Sequence, residues 1–297
     1  MITDTNSSST LIFTPVELRH KEQVEAIRAA SGNTVYTYTF ATLFSWQEIE
    51  RYEICLRDDA YLIKNGARGD NSYLFPVGTD CGRRLFINDL LETGSPTFWF
   101  VSDGDKAFLE SAFPGVFFFE ECRDDFSYIY DKAEQIAMSG KAFRDLRHNV
   151  NRGRAAYGSW DFEPLRSDNI ARAREINRIW ADLREDTDMA DAGPAENALT
   201  HFDELSMFGI LYRADGEDIA YIAGSFVTPE IYDLNFCKLL DKRCDCYIKW
   251  LLYQELPEKV TVIDSEEDMG LPGLRAHKLL RSPKEMMRMW KAAAVRS

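Results

Sequence analysis

The fold is decided by the stretch FGILYRADGEDIAYIAGSFVTPEIYDLNFCKLLDKRCDCYIKWLLYQELPEKVTVID, residues 208–264. Its first two apolar runs, 208–213 and 218–226, flank Asp215-Gly216, a pair that favours the tight turn of a β-hairpin. The elements predicted after this hairpin are a strand, an apolar helix and another strand, at 230–238, 247–255 and 260–264. Three strands, a helix and a strand predict an α/β (α+β) fold of mixed, mainly antiparallel sheets flanked by helices.

The residues before this stretch show a loosely comparable order of hairpin, strand, helix and strand. Apolar runs predict strands at 52–57, 60–65, 71–77, 98–101, 116–119, 127–130 and 160–165. Helical patterns predict helices at 14–30, 106–113, 131–138, 141–157, 168–183 (with Ser167 as N-cap) and 196–202, with a loop at 185–194. The two halves predict a disordered lead-in at 1–10, an N-terminal domain at 11–157 and a C-terminal domain at 158–297.

Composition limits the classes of function that the chain can have. The sequence of 297 residues contains no apolar run near the roughly 20 residues that span a bilayer. Its N-terminus lacks the basic and apolar regions of a secretion signal, so a cytoplasmic protein without an integral membrane segment is predicted. The net charge of −14 disfavours general nucleic-acid or membrane binding, because most of the surface repels a polyanion.

The cysteines are the next candidates for chemistry. In a large chain without a secretion signal, the six cysteines are expected to be reduced thiols. Cys237, Cys244 and Cys246 form a local cluster, but they lack the paired C-x2-C spacing of zinc sites. No metal site is therefore predicted.

Positive charge is concentrated in two segments of this acidic chain. Residues 140–154 carry a net charge of +4 and residues 275–296 a net charge of +6. In the first segment, a helical wheel places Lys141, Arg144, His148 and Arg152 opposite the apolar side chains. Such concentration indicates a local anion-binding site, although ordinary variation between solvated helices is an alternative.

The segment VIDSEEDMGLPGLRAHK, residues 262–278, combines both signs of charge. A strand leads into acids that include Glu266 and Asp268, then into a Gly-Leu-Pro-Gly turn, and then to Arg275 and Lys278 on one helical face. The pattern suits a carboxylate that acts as a base or binds an amine beside an anion clamp. The alternative is a helix cap, in which these acids and bases pair for structure alone.

Two family patterns are similar to these segments. The strand and helix order resembles the acyl-CoA N-acyltransferase (GNAT) fold, but residues 241–246 lack the glycines that receive the coenzyme A pyrophosphate there. The segment 266–278 resembles E-x-D-[LM]-G-x-P-G-L-R-x-x-K, a pattern of the phosphatidylglycerol lysyltransferase C-terminal domain family. Residues 140–151 resemble its G-K-x-[YF]-x-x-x-R-N-x-[IV]-N pattern, with His148 in place of an asparagine. Further similarity lies at 40–46, 75–78 and 125–130.

The resemblance implies two GNAT-like domains in tandem and an acyl- or aminoacyltransferase. The donor would be an aminoacyl-tRNA or an acyl-CoA, the acceptor a hydroxyl or an amine, and no cofactor would be required. As a hypothesis, the catalytic residues are Glu266 and Asp268, either of which would act on the acceptor as a base or bind an ammonium group; His148 could also serve as a base, although the family pattern has asparagine there. The implied phosphate-binding residues are Lys141, Arg144, Arg147, Asn151, Arg275 and Lys278. The alternative is a non-catalytic module that uses a degenerate acyltransferase fold to bind a phosphorylated ligand.

Overall fold

The computed structural model describes residues 11–183 and 191–295, so the lead-in predicted at 1–10 lies outside the described residues. The strands in chain order are β1 Thr14–Pro15, β2 Tyr52–Leu56, β3 Ala60–Asn65, β4 Ser72–Leu74, β5 Val77–Gly78, β6 Thr97–Val101, β7 Phe117–Glu121, β8 Ser127–Asp131, β9 Trp160–Pro164, β10 Phe208–Ala214, β11 Glu217–Thr228, β12 Ile231–Leu239, β13 Val262–Asp264, β14 Glu285–Met287 and β15 Trp290–Ala294. The helices are α1 Lys21–Ser31, α2 Phe40–Glu50, α3 Asp80–Thr93, α4 Asp103–Ala112, α5 Lys132–Ala137, α6 Arg144–Arg154, α7 Ile170–Asp182, α8 Ala192–Thr200, α9 Asp245–Glu255 and α10 Pro272–Leu280.

These elements form two compact units, each with its own mixed sheet. The first unit comprises the described residues up to Cys122 together with those from Met289 onward, and the second is Arg123–Arg288. The first sheet has the order β1-β2-β3-β4-β6-β15-β7, with β5 paired to β3, and the second has the order β14-β8-β13-β12-β11-β10-β9. Neighbouring strands are antiparallel except β4 with β6 and β12 with β13. When the first sheet is read from β1 and the second from β9, each has three antiparallel pairs, then one parallel pair, then two antiparallel pairs. The expected pair of similar mixed sheets is confirmed.

The division between the units differs from the domain boundary predicted at 157/158. The second unit begins at Arg123, because β8 pairs with β13 and β14 and because α6 packs against α9. The end of the chain returns to the first unit, where β15 pairs with β6 and β7. Strand partners distant in the sequence set this division, and a pass along the sequence does not reveal them.

Most predicted elements are present, with local corrections, and strands β14 and β15 were not predicted. The helix predicted from residue 14 begins at Lys21, because Thr14–Pro15 pairs with β2 as a short strand. Helix α3 was not predicted, and the N-cap of α7 is Asn169 rather than Ser167. The loop predicted at 185–194 is described only from residue 191, and α8 already begins at Ala192.

The sheet of the second unit is covered by helices on both faces. Tyr221 on β11 donates a hydrogen bond from its hydroxyl to Asn177 of α7, at 3.3 Å. Tyr212 follows Leu211, the residue of β10 that pairs with Tyr221, and donates a hydrogen bond to the Ile248 carbonyl of α9 at 2.9 Å. Because side chains alternate between the faces of a sheet, α7 and α9 lie on opposite faces. Ser225, four residues after Tyr221 on β11, lies on the α7 face, and so does its partner Asp233.

Two further findings concern the chain as a whole. Within the described residues, no helix is long and apolar enough to cross a membrane. All six cysteines are free thiols, and Cys55, Cys244 and Cys246 are buried. A cytoplasmic location remains a prediction.

Candidate functional site

The second sheet opens between β12 and β13. These parallel strands pair over only three residues, from Ile231 with Val262 to Asp233 with Asp264. Strand β12 then continues to Leu239, whereas β13 ends at Asp264. Asp233 and Asp264 therefore lie side by side where the pairing stops, and Asn235 follows on β12 at a register shift.

A row of buried polar side chains crosses three strands at this point. Asp233 is fully buried, with Asp264 beside it on β13 and Ser225 opposite it on β11. Asp264 Oδ1 accepts hydrogen bonds from the Ser127 hydroxyl and, at 2.9 Å, from the Glu266 amide. In contrast, Asp233 Oδ1, Asp264 Oδ2 and Ser225 Oγ have no hydrogen-bond partner among the described residues. Buried carboxylate oxygens without partners are costly, and they indicate a place where a donor group binds.

Glu266 joins this row from the loop after β13. Asn235 donates from Nδ2 to Asp233 Oδ2 at 2.6 Å and to Glu266 Oε1 at 3.2 Å, so it bridges the two carboxyl groups. The backbone of Glu266 has φ +58°, a left-handed conformation that a glutamate adopts only when its surroundings impose it. We use the name acidic cleft for Asp233, Asn235, Asp264 and Glu266.

The carboxyl groups of the acidic cleft hold their protons more tightly than free carboxyl groups. Burial, followed by the charge of Glu266, raises the pKa of Asp233 well above its usual range. Burial raises the pKa of Asp264 to about 6. Burial, followed by the charge of Glu267, also raises the pKa of Glu266, while the Lys278 ammonium opposes this increase. Near neutral pH the cleft therefore favours either a bound proton or a cationic group.

Lys278 lies under the loop that carries Glu266. Its buried ammonium donates to the Glu267 carbonyl at 2.6 Å, to the Glu266 carbonyl at 3.1 Å and to the Ser265 carbonyl. These contacts use the donors of the ammonium group on backbone oxygens. The geometry favours a role in shaping the loop over the phosphate-binding role that the sequence suggested for Lys278.

Asp268 is the centre of a second, fully satisfied cluster. Its Oδ1 accepts from the Gly270 amide at 2.9 Å and from Arg275 at 2.8 Å. Its Oδ2 accepts from Arg275 at 2.9 Å, from Arg123 at 3.1 Å and from the Tyr128 hydroxyl. Although burial opposes it, hydrogen bonding, led by that of Arg275, holds the pKa of Asp268 well below its usual range.

This arrangement favours structural roles for Asp268 and Arg275. A carboxylate with a strongly lowered pKa is a poor general base, and both oxygens of Asp268 already accept hydrogen bonds. Arg275 also donates to Asp124 at 2.6 Å. Pairing for structure alone thus describes Asp268, Arg275 and Lys278 better than the catalytic and anion-binding roles that the sequence suggested, although the N-cap of α10 is Leu271, without a side-chain cap. Glu266 differs from them, because it belongs to the acidic cleft.

The basic helix predicted at 141–157 is α6, which packs on α9 through Leu146, Val150 and Gly153. A Cβ atom on Gly153 would lie 2.9 Å from the Arg243 carbonyl oxygen, so glycine is needed for this close approach. The opposite face is exposed, and it carries the predicted phosphate-binding residues Arg144 and Asn151 together with His148 and Arg152; Lys141 is also exposed but precedes α6, which is shorter than predicted and begins at Arg144.

Arg147 is the exception among the predicted phosphate-binding residues of α6. It is half-buried and donates to the Gly140 carbonyl at 2.8 Å and to the Met138 carbonyl. Within the part of the chain that the structure describes, no ion pair or hydrogen bond joins the α6 side chains to Glu266 or Asp268. The convergence of the two segments on one ligand stays a prediction.

The N-terminus of α9 is where the resemblance to GNAT proteins places the coenzyme A loop. Here Asp245 stands in the first turn, with its side chain paired to Lys249 at 2.7 Å, to His277 at 2.7 Å and to Arg281 at 3.2 Å. The tight contact of Gly153 with Arg243 and Cys244 also places α6 against this turn. A carboxylate at a helix N-terminus competes with a pyrophosphate, so the residues present do not fit coenzyme A in its usual position.

Asp245, Cys246 and His277 have possible metal-ligand atoms within 4.8 Å of one another. The sequence analysis did not predict this grouping, because His277 is distant from the cysteines in the sequence. Lys249 and Arg281 contact the same carboxylate of Asp245. Their positive charges oppose the entry of a metal cation, so the group is better described as a buried ion-pair network.

Sequence reasoning missed Asp233, Asn235 and Ser225 as site residues. A signal was available, since Asp and Asn are uncommon in strands and stand two residues apart within the predicted strand 230–238. In a regular strand, a two-residue spacing predicts a shared face. What the sequence did not show is that β13 pairs beside them and then ends.

Solved structures with the same fold include two kinds of relative. A conserved protein of unknown function from Bacteroides thetaiotaomicron has a TM-score of 0.86 and 24% identity, over 96% of this chain and 100% of that one. L-PGS from Bacillus licheniformis has a TM-score of 0.66 and 14% identity, over 93% of this chain and 92% of that one. A C-terminal domain of a predicted lysylphosphatidylglycerol synthetase from Agrobacterium fabrum has a TM-score of 0.65 and 13% identity, with the same coverage.

At these identities the structural similarity shows the fold alone. No curated protein sequence matches the chain. The sequence pattern of one family does match, over residues 28–292, which is most of the chain. The chain therefore belongs to the family described as phosphatidylglycerol lysyltransferase, C-terminal.

Proposed function

We propose that the chain is an aminoacyltransferase that transfers an aminoacyl group from an activated ester to a hydroxyl or amine acceptor. The observation that carries the proposal is the pair of buried carboxylate oxygens without partners, Asp233 Oδ1 and Asp264 Oδ2, beside the half-buried Glu266. Membership of a transferase family supports the reaction class.

An ammonium group is the ligand that best satisfies this cleft. It supplies both positive charge and hydrogen-bond donors, and the carboxylate oxygens of Asp233 and Asp264 need both. An aminoacyl ester carries such a group next to its reactive carbonyl. Binding the ammonium at Asp233 and Asp264 therefore places the carbonyl near the mouth of the cleft, on the side of Glu266.

Glu266 acts as the general base in this proposal. Its raised pKa makes it a stronger proton acceptor than an ordinary carboxylate. The acceptor oxygen or nitrogen attacks the ester carbonyl while its proton passes to Glu266. When the tetrahedral intermediate collapses, the ester bond breaks and Glu266 returns the proton to the leaving oxygen. The donor ester is already activated, so no covalent enzyme intermediate is required.

The donor is an aminoacyl-tRNA rather than an acyl-CoA in this proposal. The Asp245 carboxylate and the packing of α6 disfavour a pyrophosphate at the N-terminus of α9. The exposed residues Arg144 and Asn151 on α6, with the exposed Lys141 just before it, provide a separate surface for the phosphates of the donor. Positive charge there offsets the repulsion expected from a chain with a net charge of −14.

The experiment is a transfer assay with radiolabelled aminoacyl-tRNA and a mixture of amine and hydroxyl acceptors, including phospholipids. Glu266→Gln should lower transfer at least about 100-fold, because it removes the base and keeps the shape of the side chain. Glu258→Gln, the same change at an exposed position of the second unit, is the matched control and should transfer normally. Equal transfer by both variants contradicts the proposal.

The binding-module alternative is favoured by one observation, the acid in place of the GNAT glycine loop. A module of that kind binds aminoacyl-tRNA without consuming it. If the wild-type chain retains labelled aminoacyl-tRNA on a filter but releases no aminoacyl product, the alternative replaces the transferase.

A further inference from the structure

The ion-pair network around Asp245 holds more positive charge than negative charge. Lys249 and Arg281 contribute two cations, and Asp245 contributes a single carboxylate. Burial lowers the pKa of His277, which keeps its imidazole neutral at pH 7 despite the nearby Asp245. The groups close enough to interact electrostatically with this network come from β8, α6, β12, α9 and α10, and they are Tyr130, Arg152, Cys237, Cys246, Tyr253 and Lys278. In its immediate contacts the network therefore has two cations and one carboxylate, a net charge of +1.

The hydrogen-bond donors of the network also exceed its acceptors. An ammonium and a guanidinium offer many more N–H groups than the two oxygens of Asp245 can accept. Arg281 is 3% exposed, and its Nε has no partner among the described residues. A buried guanidinium donor without an acceptor indicates a place where an acceptor group binds, just as the unpaired carboxylate oxygens of the acidic cleft indicate a place where a donor group binds. The side chains of His277 and Lys249 are 30% and 12% exposed, so solvent reaches the network.

The network and the acidic cleft both adjoin β12, on either side of a register shift between the pairs Ala223/Phe236 and Ser225/Asp233. Asn235 contacts Glu266 at 3.2 Å, and Cys237, two residues further on, has its Sγ 3.9 Å from Asp245 Oδ1. Unsatisfied acceptors in the acidic cleft and an unsatisfied donor in the network, both next to β12, fit a ligand that carries an ammonium group and an anionic group.

We propose that Lys249, His277 and Arg281 form an anion-binding subsite for a phosphoryl group of the substrate, with Arg152 of α6 at its edge. The inference deepens the proposed function and rests on it for the identity of the ligand, an aminoacyl ester of a nucleotide. Such an ester carries an ammonium group for Asp233 and Asp264 and a phosphate for the subsite. Asp245 then has a positioning role, because it holds the three donors in place.

The test is a titration of the full chain with inorganic phosphate, followed through the imidazole resonances of His277 in NMR spectra. His277→Asn assigns these resonances among the four histidines. In the wild type, phosphate should bind saturably and raise the pKa of His277, because an adjacent anion stabilises the imidazolium. Acetate serves as the comparison anion and should bind at least about tenfold more weakly, because it offers fewer acceptor oxygens and less charge.

Lys249→Met should weaken phosphate binding at least tenfold, and Lys249→Arg should restore it. Lys284→Met changes the net charge equally at an exposed position of the same unit and should bind phosphate normally. Arg152→Met, an exposed change that leaves the buried network intact, should weaken binding about threefold. This variant keeps the test decisive if Lys249→Met does not fold.

Three results would overturn the subsite: no saturable phosphate effect in the wild type, equal effects of acetate and phosphate, or unchanged affinity in both Lys249→Met and Arg152→Met. The assay contains no aminoacyl donor. A failure of phosphate binding with intact transfer therefore rejects the subsite alone, whereas intact binding with no transfer rejects the proposed function.

Discussion

Replacing Asp268 by asparagine should destabilise the second unit markedly. The carboxylate is fully buried and accepts hydrogen bonds from Arg275, Arg123, Tyr128 and the Gly270 amide. Removing one partner of a buried ion pair costs about 3–5 kcal/mol. The two arginine side chains are about one-third exposed and regain water, so we expect the lower end, about 3 kcal/mol.

Chemical denaturation of the purified variant measures this loss, and thermal unfolding should show a midpoint lower by roughly 6–12 °C. Because the folded-state pKa of Asp268 is depressed, its contribution is fully present above the pKa of an unfolded aspartate and disappears as the pH falls. The difference between wild type and variant should therefore be largest near pH 7 and shrink below about pH 4.

Asp124→Asn is the matched control. This exposed carboxylate has a single side-chain hydrogen bond among those described for it, from Arg275, and its loss should cost at most about 1 kcal/mol. If Asp268→Asn unfolds at the same denaturant concentration as the wild type while transfer is lost, the structural role is refuted. The catalytic role that the sequence suggested for Asp268 would then be favoured.

Three other predictions follow from the same contacts. Gly153→Ala should destabilise the protein by about 1–3 kcal/mol in denaturation, because its Cβ would lie 2.9 Å from the Arg243 carbonyl oxygen and 2.9 Å from Tyr247 Cβ; an unchanged midpoint would contradict the packing of α6 on α9. Lys278→Met should release the 265–267 loop and raise hydrogen-exchange rates there by tenfold or more, whereas unaltered exchange would show that the ammonium does not hold the loop. Burial raises the pKa of Asp264 to about 6, so the carboxyl group loses its proton at a lower pH in the unfolded state than in the folded state. The free energy of unfolding should therefore fall as the pH rises from about 4 to 6. Asp264→Asn should flatten this decrease, and an unaltered pH profile of stability would contradict the raised pKa.

Local patterns allowed much of the second unit to be predicted. The hairpin at Asp215-Gly216 and the helix predicted at 247–255 are present, because turn chemistry and apolar periodicity act over a few residues. Helix α3 was missed, since its apolar positions are sparse and its packing depends on Gly82 lying close to Ala60 of β3. That proximity is a tertiary feature.

The candidate site was predictable only in part. The segment 264–278 pointed to Glu266, but the sequence did not separate Glu266 from Asp268, which has the same charge two residues away. The distinction depends on partners far along the chain: Arg123 and Tyr128 surround Asp268, while Asn235 and Asp233 accompany Glu266. Such contacts follow from strand order, which no local pattern determines.

The central claim is that the acidic cleft binds an ammonium group. Calorimetry with alaninamide and with lactamide, which replaces the ammonium by a hydroxyl, tests it directly on the wild type, on Asp233→Asn and on the exposed control Asp203→Asn. We predict that alaninamide binds to the wild type and to Asp203→Asn, that Asp233→Asn weakens this binding at least tenfold, and that lactamide does not bind. Equal binding of the two amides, or alaninamide binding unchanged by Asp233→Asn, would contradict the claim.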